Sequence, residues 1–289
     1  MTVLHSAKDY ATATAAWWCP GCGDYGVLAA LKSALAQLAL EPKDVAFVSG
    51  IGCSGKISGY LHSYAFHGVH GRALPVATGV KLANRDLTVI AAGGDGDGYA
   101  IGAGHFVHTI RRNPDITYIV MDNETYGLTK GQASPTSPGG YVTSTSPAGN
   151  PEAPLNGLAL ALAAGATFLA RGFAGQPKAL VDLMAAAICH RGFSIVEVMS
   201  PCITYNATNT YAWFREHVYD VAANAGYDPH DRNAAFATLT RDDRIPLGII
   251  YRNDRPAFEE RCGLPGKPIA QLDLRPRPAE YAALANAYR

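Results

Sequence analysis

Apolar positions along this chain fall into short unbroken runs, separated by stretches with helical spacing. Val45–Ser49 (VAFVS), residues 87–92 (LTVIAA), 116–121 (ITYIVM) and 194–198 (SIVEV) are four such runs. Continuous rather than alternating apolarity marks strands buried on both faces. Residues 28–39 and 179–190 repeat apolar side chains at the helical period. Residues 99–112 have the same character and stop at Asn113-Pro114, where proline bars another turn. The uncharged segment 155–170 reads as a buried helix, because a membrane span needs about 20 apolar residues. Alternating strands and helices predict an α/β fold, a parallel sheet with helices on both faces. Ligands are then expected beyond the carboxyl ends of the strands.

Residues 132–154 (QASPTSPGGYVTSTSPAGNPEAP) read either as a linker or as a long loop over a site. Beyond residue 205 the period weakens into aromatics and clusters of Arg and Asp. The expected division is an α/β domain over 1–204 and an extension over 205–289, packed on that domain or on a partner subunit. Composition narrows the function classes. The 289 residues carry 24 Lys+Arg against 24 Asp+Glu, a formal net charge of zero. That balance speaks against a broad nucleic-acid footprint. A chain this long removes roughly 75% of its unfolded surface from water, so its core needs no disulfide staples. The start lacks a basic stretch followed by an apolar run, so no targeting signal and no membrane association are expected. Six Cys without such a signal point to the cytoplasm, where thiols bind metals or do chemistry.

The run at 87–92 enters Gly94-Asp95-Gly96-Asp97 and then a helical segment. A helix start favours phosphate, yet two carboxylates repel it unless a divalent cation lies between. Mg²⁺ uses such oxygens together with substrate phosphate. The loop therefore predicts a metal-bridged pyrophosphate, against a plain turn as the simpler reading. It fails the dinucleotide pattern G-x-G-x-x-G, whose last glycine is replaced by Tyr99. Asn123 follows one βαβ unit later and returns to the same sheet edge.

Cys19-Pro20-Gly21-Cys22 is a C-x-x-C pair, Cys53 follows the first strand, and Cys202 follows the 194–198 strand. Four thiolates at one edge fit zinc or a cubane Fe–S cluster, and spacing does not decide between them. Cys189 reads as a core residue and Cys262 has no assigned role. The Cys53 loop narrowly misses a phosphate loop, since Ile57 stands where a metal-binding hydroxyl belongs. His62, His67 and His70 lie close together without a known metal spacing; His70, at a turn, is the candidate for a ligand contact.

The GDG loop followed by Asn123 resembles the thiamine-diphosphate enzyme motif. WCPGCGDYG, GIGCSGK, HGRALPVATGVKLAN, GGDGDGYAIGAGHF and DNETYGLTKGQASPTSP, in order over 17–138, with SPC at 200–202, resemble the β subunit of 2-oxoacid:ferredoxin oxidoreductases. The resemblance implies a thiamine-diphosphate-binding fold for 1–204. It implies Mg²⁺ on Asp95, Asn123 and the Thr125 carbonyl, and a diphosphate lined by Gly96, Asp97, Gly127 and Leu128. Ile51, Gly52, Cys53, Ser54 and His70 would touch the coenzyme, and Cys19, Cys22, Cys53 and Cys202 would hold one [4Fe–4S] cluster. Lys130 would face a substrate carboxylate, favouring 2-oxoglutarate, with pyruvate or a broad 2-oxo acid range as the alternative. The implied reaction is oxidative decarboxylation with acyl transfer to coenzyme A and electrons passed to ferredoxin, or its reverse as CO₂ fixation. An α subunit would supply the pyrimidine side, with Trp17, Trp18 and the Tyr-rich tail as contact candidates against plain core packing. The competing class is a non-redox thiamine-dependent lyase subunit with structural zinc.

Overall fold

Each apolar run becomes a strand that sends alternate side chains into two different cores. A computed structural model of the chain describes residues 5–241, 244–264, 267–273, 275 and 277–288. Among these, one sheet is built from β1 (Val45–Ser49), β2 (Tyr64–His67), β3 (Thr88–Gly94), β4 (Ile116–Asp122), β5 (Phe168–Phe173), β6 (Ser194–Met199), β7 (Val218–Asp220) and β8 (Ile245–Arg252). Their order is β2-β1-β3-β4-β6-β5-β8-β7. Neighbours are parallel except β5 and β8, which run antiparallel. The helices are α1 (Gly23–Gln37), α2 (Ala73–Ala83), α3 (Ala103–Arg112), α4 (Gly157–Ala163), α5 (Pro177–Cys189), α6 (Tyr211–His217) and α7 (Arg232–Leu239), followed by short tail helices. Val45 and Phe47 of β1 join a core with Leu31 and Leu35 of α1 and Leu180 and Met184 of α5. Ala46 and Val48 join the opposite core, with Leu74 of α2, Phe106 of α3, Leu158 of α4 and Leu239 of α7. The fold is thus α/β with helices on both faces, as expected.

Five local differences have physical causes. Residues 155–170 do not form one helix. Asn156 caps α4 by accepting from Ala159 N, and Gly165, at φ +89°, ends the turn in a conformation side chains disfavour. The chain then enters β5; an apolar run alone does not separate strand from helix. Residues 99–112 begin as a π-helical turn, Gly96–Ile101, before α3 starts, a wide turn that often marks functional sites. β2 and α2 escape the pattern. All four β2 side chains are exposed at the sheet edge, and α2 carries Pro75 in its first turn, where its missing N–H costs nothing. Cys189 is exposed rather than core, because it ends α5 off the stripe formed by Leu180, Met184 and Ala187. From the tail, β8 extends the sheet beyond β5, and Ala235 and Leu239 of α7 pack into the second core. No helix among the described residues is long and apolar enough to cross a membrane.

Candidate active site

β1, β3, β4 and β6 are consecutive parallel neighbours, so their carboxyl ends line one edge of the sheet. Register pairs Ser49 with Ala92, Gly94 with Met121, and Asp122 with Met199. The Cys53 loop, the GDGD loop, Asn123 and Cys202 therefore leave the sheet side by side. Ile51, Gly52, Cys53, Ser54, His70, Asp95, Gly96, Asp97, Asn123, Thr125, Gly127 and Leu128 all line one cavity of about 120 Å³. A second cavity, about 390 Å³, is ringed by Cys19, Cys22, Cys53 and Cys202 and shares Cys53, Asn123, Gly127 and Leu128 with the first.

The first cavity has a wall of buried oxygens. Asp95 is 2% exposed, and its Oδ2 accepts from Thr136 Oγ1 at 2.7 Å. The same hydroxyl lies 2.8 Å from Asp122 Oδ1, so one proton serves two carboxylates. Burial, then the charge of Asp95, holds Asp122 well above the ordinary carboxylate range. Burial raises Asp95 as well, and burial followed by the Asp95 charge pushes Glu124 up to about 8. A divalent cation at Asp95 would relieve this crowding of negative charge. The donors available, a carboxylate, the Asn123 amide and the Thr125 carbonyl, are the hard oxygens that Mg²⁺ takes. Asn123 is set by its own Oδ1, which accepts from Thr125 N at 3.1 Å, and by Asn206 Nδ2 on its carbonyl at 3.3 Å.

Asp97 works within the chain. Its Oδ1 accepts from Ile51 N at 3.0 Å, Gly71 N at 2.8 Å and His70 Nδ1 at 2.6 Å. One buried carboxylate thereby joins the loops after β1, β2 and β3. Gly50 makes room for it: a Cβ there would stand 1.9 Å from Asp97 Oδ2. Because an ionised carboxylate only accepts, His70 donates to it from Nδ1. His62 and His67 turn elsewhere, to Asp9 O at 2.9 Å and Gly55 O at 2.8 Å. The three rings do not converge.

The second cavity has a wall of sulfur. A Cβ at Gly127 would lie 3.6 Å from Cys202 Sγ and 3.7 Å from Cys53 Sγ, so the two cavities meet there. Burial, then the charge of Asp24, raises the Cys22 thiol and pushes Cys53 up to about 11. Both thiols would give up protons on binding a metal. The sulfurs ring a space rather than meet at a point, and among the described residues no group of three or more His, Cys, Asp or Glu is arranged to hold a metal ion. Trp18 is buried and donates from Nε1 to Cys53 O at 2.7 Å, edge-on to Tyr25 and Tyr60. Trp17 is exposed, with Lys56 over its ring.

Comparison with known proteins decides the family. Residues 50–198 match the thiamine pyrophosphate enzyme C-terminal TPP-binding domain, and residues 202–264 match the C-terminal region of the pyruvate ferredoxin oxidoreductase β subunit. The chain is 47% identical over 270 residues to subunit β of 2-oxoacid:ferredoxin oxidoreductase 2 from Aeropyrum pernix, covering 90% of this chain and 87% of that one. The chain belongs to the β subunits of the 2-oxoacid:ferredoxin oxidoreductases. It is also 44% identical over 199 residues to the 2-oxoglutarate oxidoreductase subunit KorB of Mycobacterium tuberculosis, covering 69% of this chain and 53% of that one. The 2-oxoglutarate:ferredoxin oxidoreductase from Magnetococcus marinus, solved with 2-oxoglutarate, coenzyme A and succinyl-CoA bound, overlays with a TM-score of 0.89 at 39% identity, covering 97% and 96% of the two chains. As a β subunit, the chain works with an α subunit.

Residues that the sequence left unassigned complete this β-subunit site. Segment 132–154 is a loop over the site, not a linker: Thr136 touches Asp95 and Asp122, and Ser137 Oγ donates to Glu124 O at 2.6 Å. Asn209 donates to the Glu124 carboxylate, and Tyr141 OH donates to Tyr205 O at 2.6 Å. The density of Ser and Thr around Pro135 and Pro138 was visible, but nothing in it said which hydroxyl reaches an acid. Lys130 lines neither cavity. It stands exposed at the tip of a loop closed by Tyr126 and Gln132, with φ +80°.

Proposed function

We propose that this β subunit serves the oxidative decarboxylation of 2-oxoglutarate to succinyl-CoA, reversible as CO₂ fixation, with electrons leaving through a [4Fe–4S] cluster to ferredoxin. The observation that carries the reading is the shared wall: Cys53, Asn123, Gly127 and Leu128 border both the oxygen-lined and the sulfur-lined cavity. Asp95, Asn123 and the Thr125 carbonyl would hold Mg²⁺ against the diphosphate. Cys19, Cys22, Cys53 and Cys202 would hold the cluster. A ring of sulfurs around a space suits a cubane better than one zinc ion with Zn–S bonds of about 2.3 Å. Bound thiamine diphosphate supplies the electron sink for decarboxylation. The chain's own residues bind and orient: Gly96, Gly127 and Leu128 border the diphosphate, Asp97 fixes the Ile51–Ser54 loop, and His70, held by Asp97, lines the same cavity beside the coenzyme. Six unpaired cysteines support a reducing, cytoplasmic setting.

The names of the Mycobacterium and Magnetococcus relatives favour 2-oxoglutarate; the broader name of the Aeropyrum relative favours a range of 2-oxo acids that includes pyruvate. Lys130, carried on the loop that also presents Gly127 and Leu128, offers a cation to a distal carboxylate through a charge-assisted bond. The test is the reconstituted αβ complex with several 2-oxo acids, coenzyme A and a one-electron dye. Dye reduction should require coenzyme A and proceed with the highest kcat/KM on 2-oxoglutarate. Lys130→Ala should raise KM for 2-oxoglutarate about tenfold, the worth of one charged hydrogen bond, and change pyruvate little. An equal effect on both acids would remove the dicarboxylate preference.

A further inference from the structure

The two halves of the cysteine set come from opposite ends of the domain: Cys19 and Cys22 precede α1, and Cys202 follows β6. Something must set the distance between them. Asp24, in the first turn of α1, is fully buried, and its Oδ1 accepts from Ser200 Oγ at 2.8 Å. Beside that bond, Gly23 N donates to Pro201 O at 3.2 Å. The helix start is pressed so close that a Cβ at Gly23 would stand 2.4 Å from Ser200 Oγ. Ser200 is anchored in turn, donating its own N–H to Asp122 O at 2.7 Å, one residue before Asn123. A line of contacts thus runs from the oxygen wall through Ser200 to the residue two beyond Cys22.

A carboxylate is a costly choice for such a place. Burying one without full hydrogen bonding is unfavourable, and Asp24 Oδ2 makes no hydrogen bond of ordinary geometry among the described residues, with the Cys22 thiol the other polar group beside the carboxylate. An apolar residue would suit a plain helix–sheet contact better. Resting on the cluster reading above, we propose that Asp24 and Ser200 are positioning residues, a hydrogen-bonded clamp that fixes the Cys19–Cys22 loop against Cys202 and so keeps the four-cysteine centre closed around its iron.

The test uses the αβ complex purified without oxygen, comparing wild type, Asp24→Ala, Ser200→Ala, the double variant and Asp24→Asn. The readouts are iron per β chain, the rate of iron release to a ferrous chelator, and thiamine diphosphate affinity. Each single Ala variant should release iron about tenfold faster, the equivalent of about 1.4 kcal/mol. The double variant should be no faster than either single, because both remove one bond. Asp24→Asn, which keeps an acceptor for Ser200, should stay within about twofold of wild type. Thiamine diphosphate affinity should be unchanged throughout. Wild-type release rates in both singles, a multiplicative double, or Asn behaving like Ala would overturn the clamp. So would a parallel loss of thiamine diphosphate, which signals general misfolding. Absence of iron from the wild type is a separate result and would overturn the cluster reading instead.

Discussion

The oxygen wall and the sulfur wall share a rim but are held differently. Asp95, Asp97 and Asp122 are each at most 4% exposed and tied to neighbouring loops through Thr136, Ile51 N, Gly71 N and His70. The sulfur wall is open by comparison. Cys19 is exposed, and Cys22, Cys53 and Cys202 are half-buried. Its geometry hangs on a few bonds between distant parts of the chain, from Trp18 to Cys53, Gly23 to Pro201 and Asp24 to Ser200. A charged coenzyme end needs a preorganised, dry cradle. A centre that passes electrons to an external carrier needs a side facing outward.

If that contrast is right, the two walls should fail separately. Asp95→Ala carries the largest expected effect: thiamine diphosphate affinity of the αβ complex, measured by titration calorimetry, should fall about 100-fold or more while iron content holds. Unchanged affinity would break the assignment of the oxygen wall. Thr136→Val strips the hydroxyl from between two acids and leaves them facing each other; affinity should fall about tenfold, again with iron intact. On the other wall, Trp18→Phe keeps the packing against Tyr25 and Tyr60 but loses the donor to Cys53 O. That should cost about 1 kcal/mol, seen as iron release roughly fivefold faster with coenzyme affinity unchanged. Coenzyme loss in the tryptophan variant would mean that the walls are one cooperative unit.

The same contrast explains what could be read from the chain beforehand. Strands β1, β3, β4 and β6 were legible because each is an apolar run buried on both faces. Their end residues, Cys53, Asp95, Asn123 and Cys202, were legible with them, since parallel topology sends all four ends to one edge. β2 was hidden because an edge strand exposing Tyr64 and Phe66 has no burial pattern to display. The break in 155–170 rested on one glycine, Gly165, in a segment otherwise uniform in hydropathy. Thr136, Asn206, Asn209 and Ser200 act through contacts far along the chain, and a hydroxyl or amide in a loop carries no sign of the acid or carbonyl it will meet. Asp97 was legible as a lining residue of the cavity through GDGD, but its second task was not: its Oδ1 accepts from three donors of the chain itself, two of them backbone N–H groups that a sequence does not display.

Under the proposed function, sulfur ring and oxygen cradle serve one redox centre. Metal analysis and visible spectroscopy of the αβ complex, isolated without oxygen and then given 2-oxoglutarate and coenzyme A, test it most directly. The expected result is brown protein with about four iron per β chain, whose absorbance bleaches only when both substrates are present and thiamine diphosphate is bound. Colourless protein carrying one zinc and still releasing CO₂ from the 2-oxo acid would contradict it.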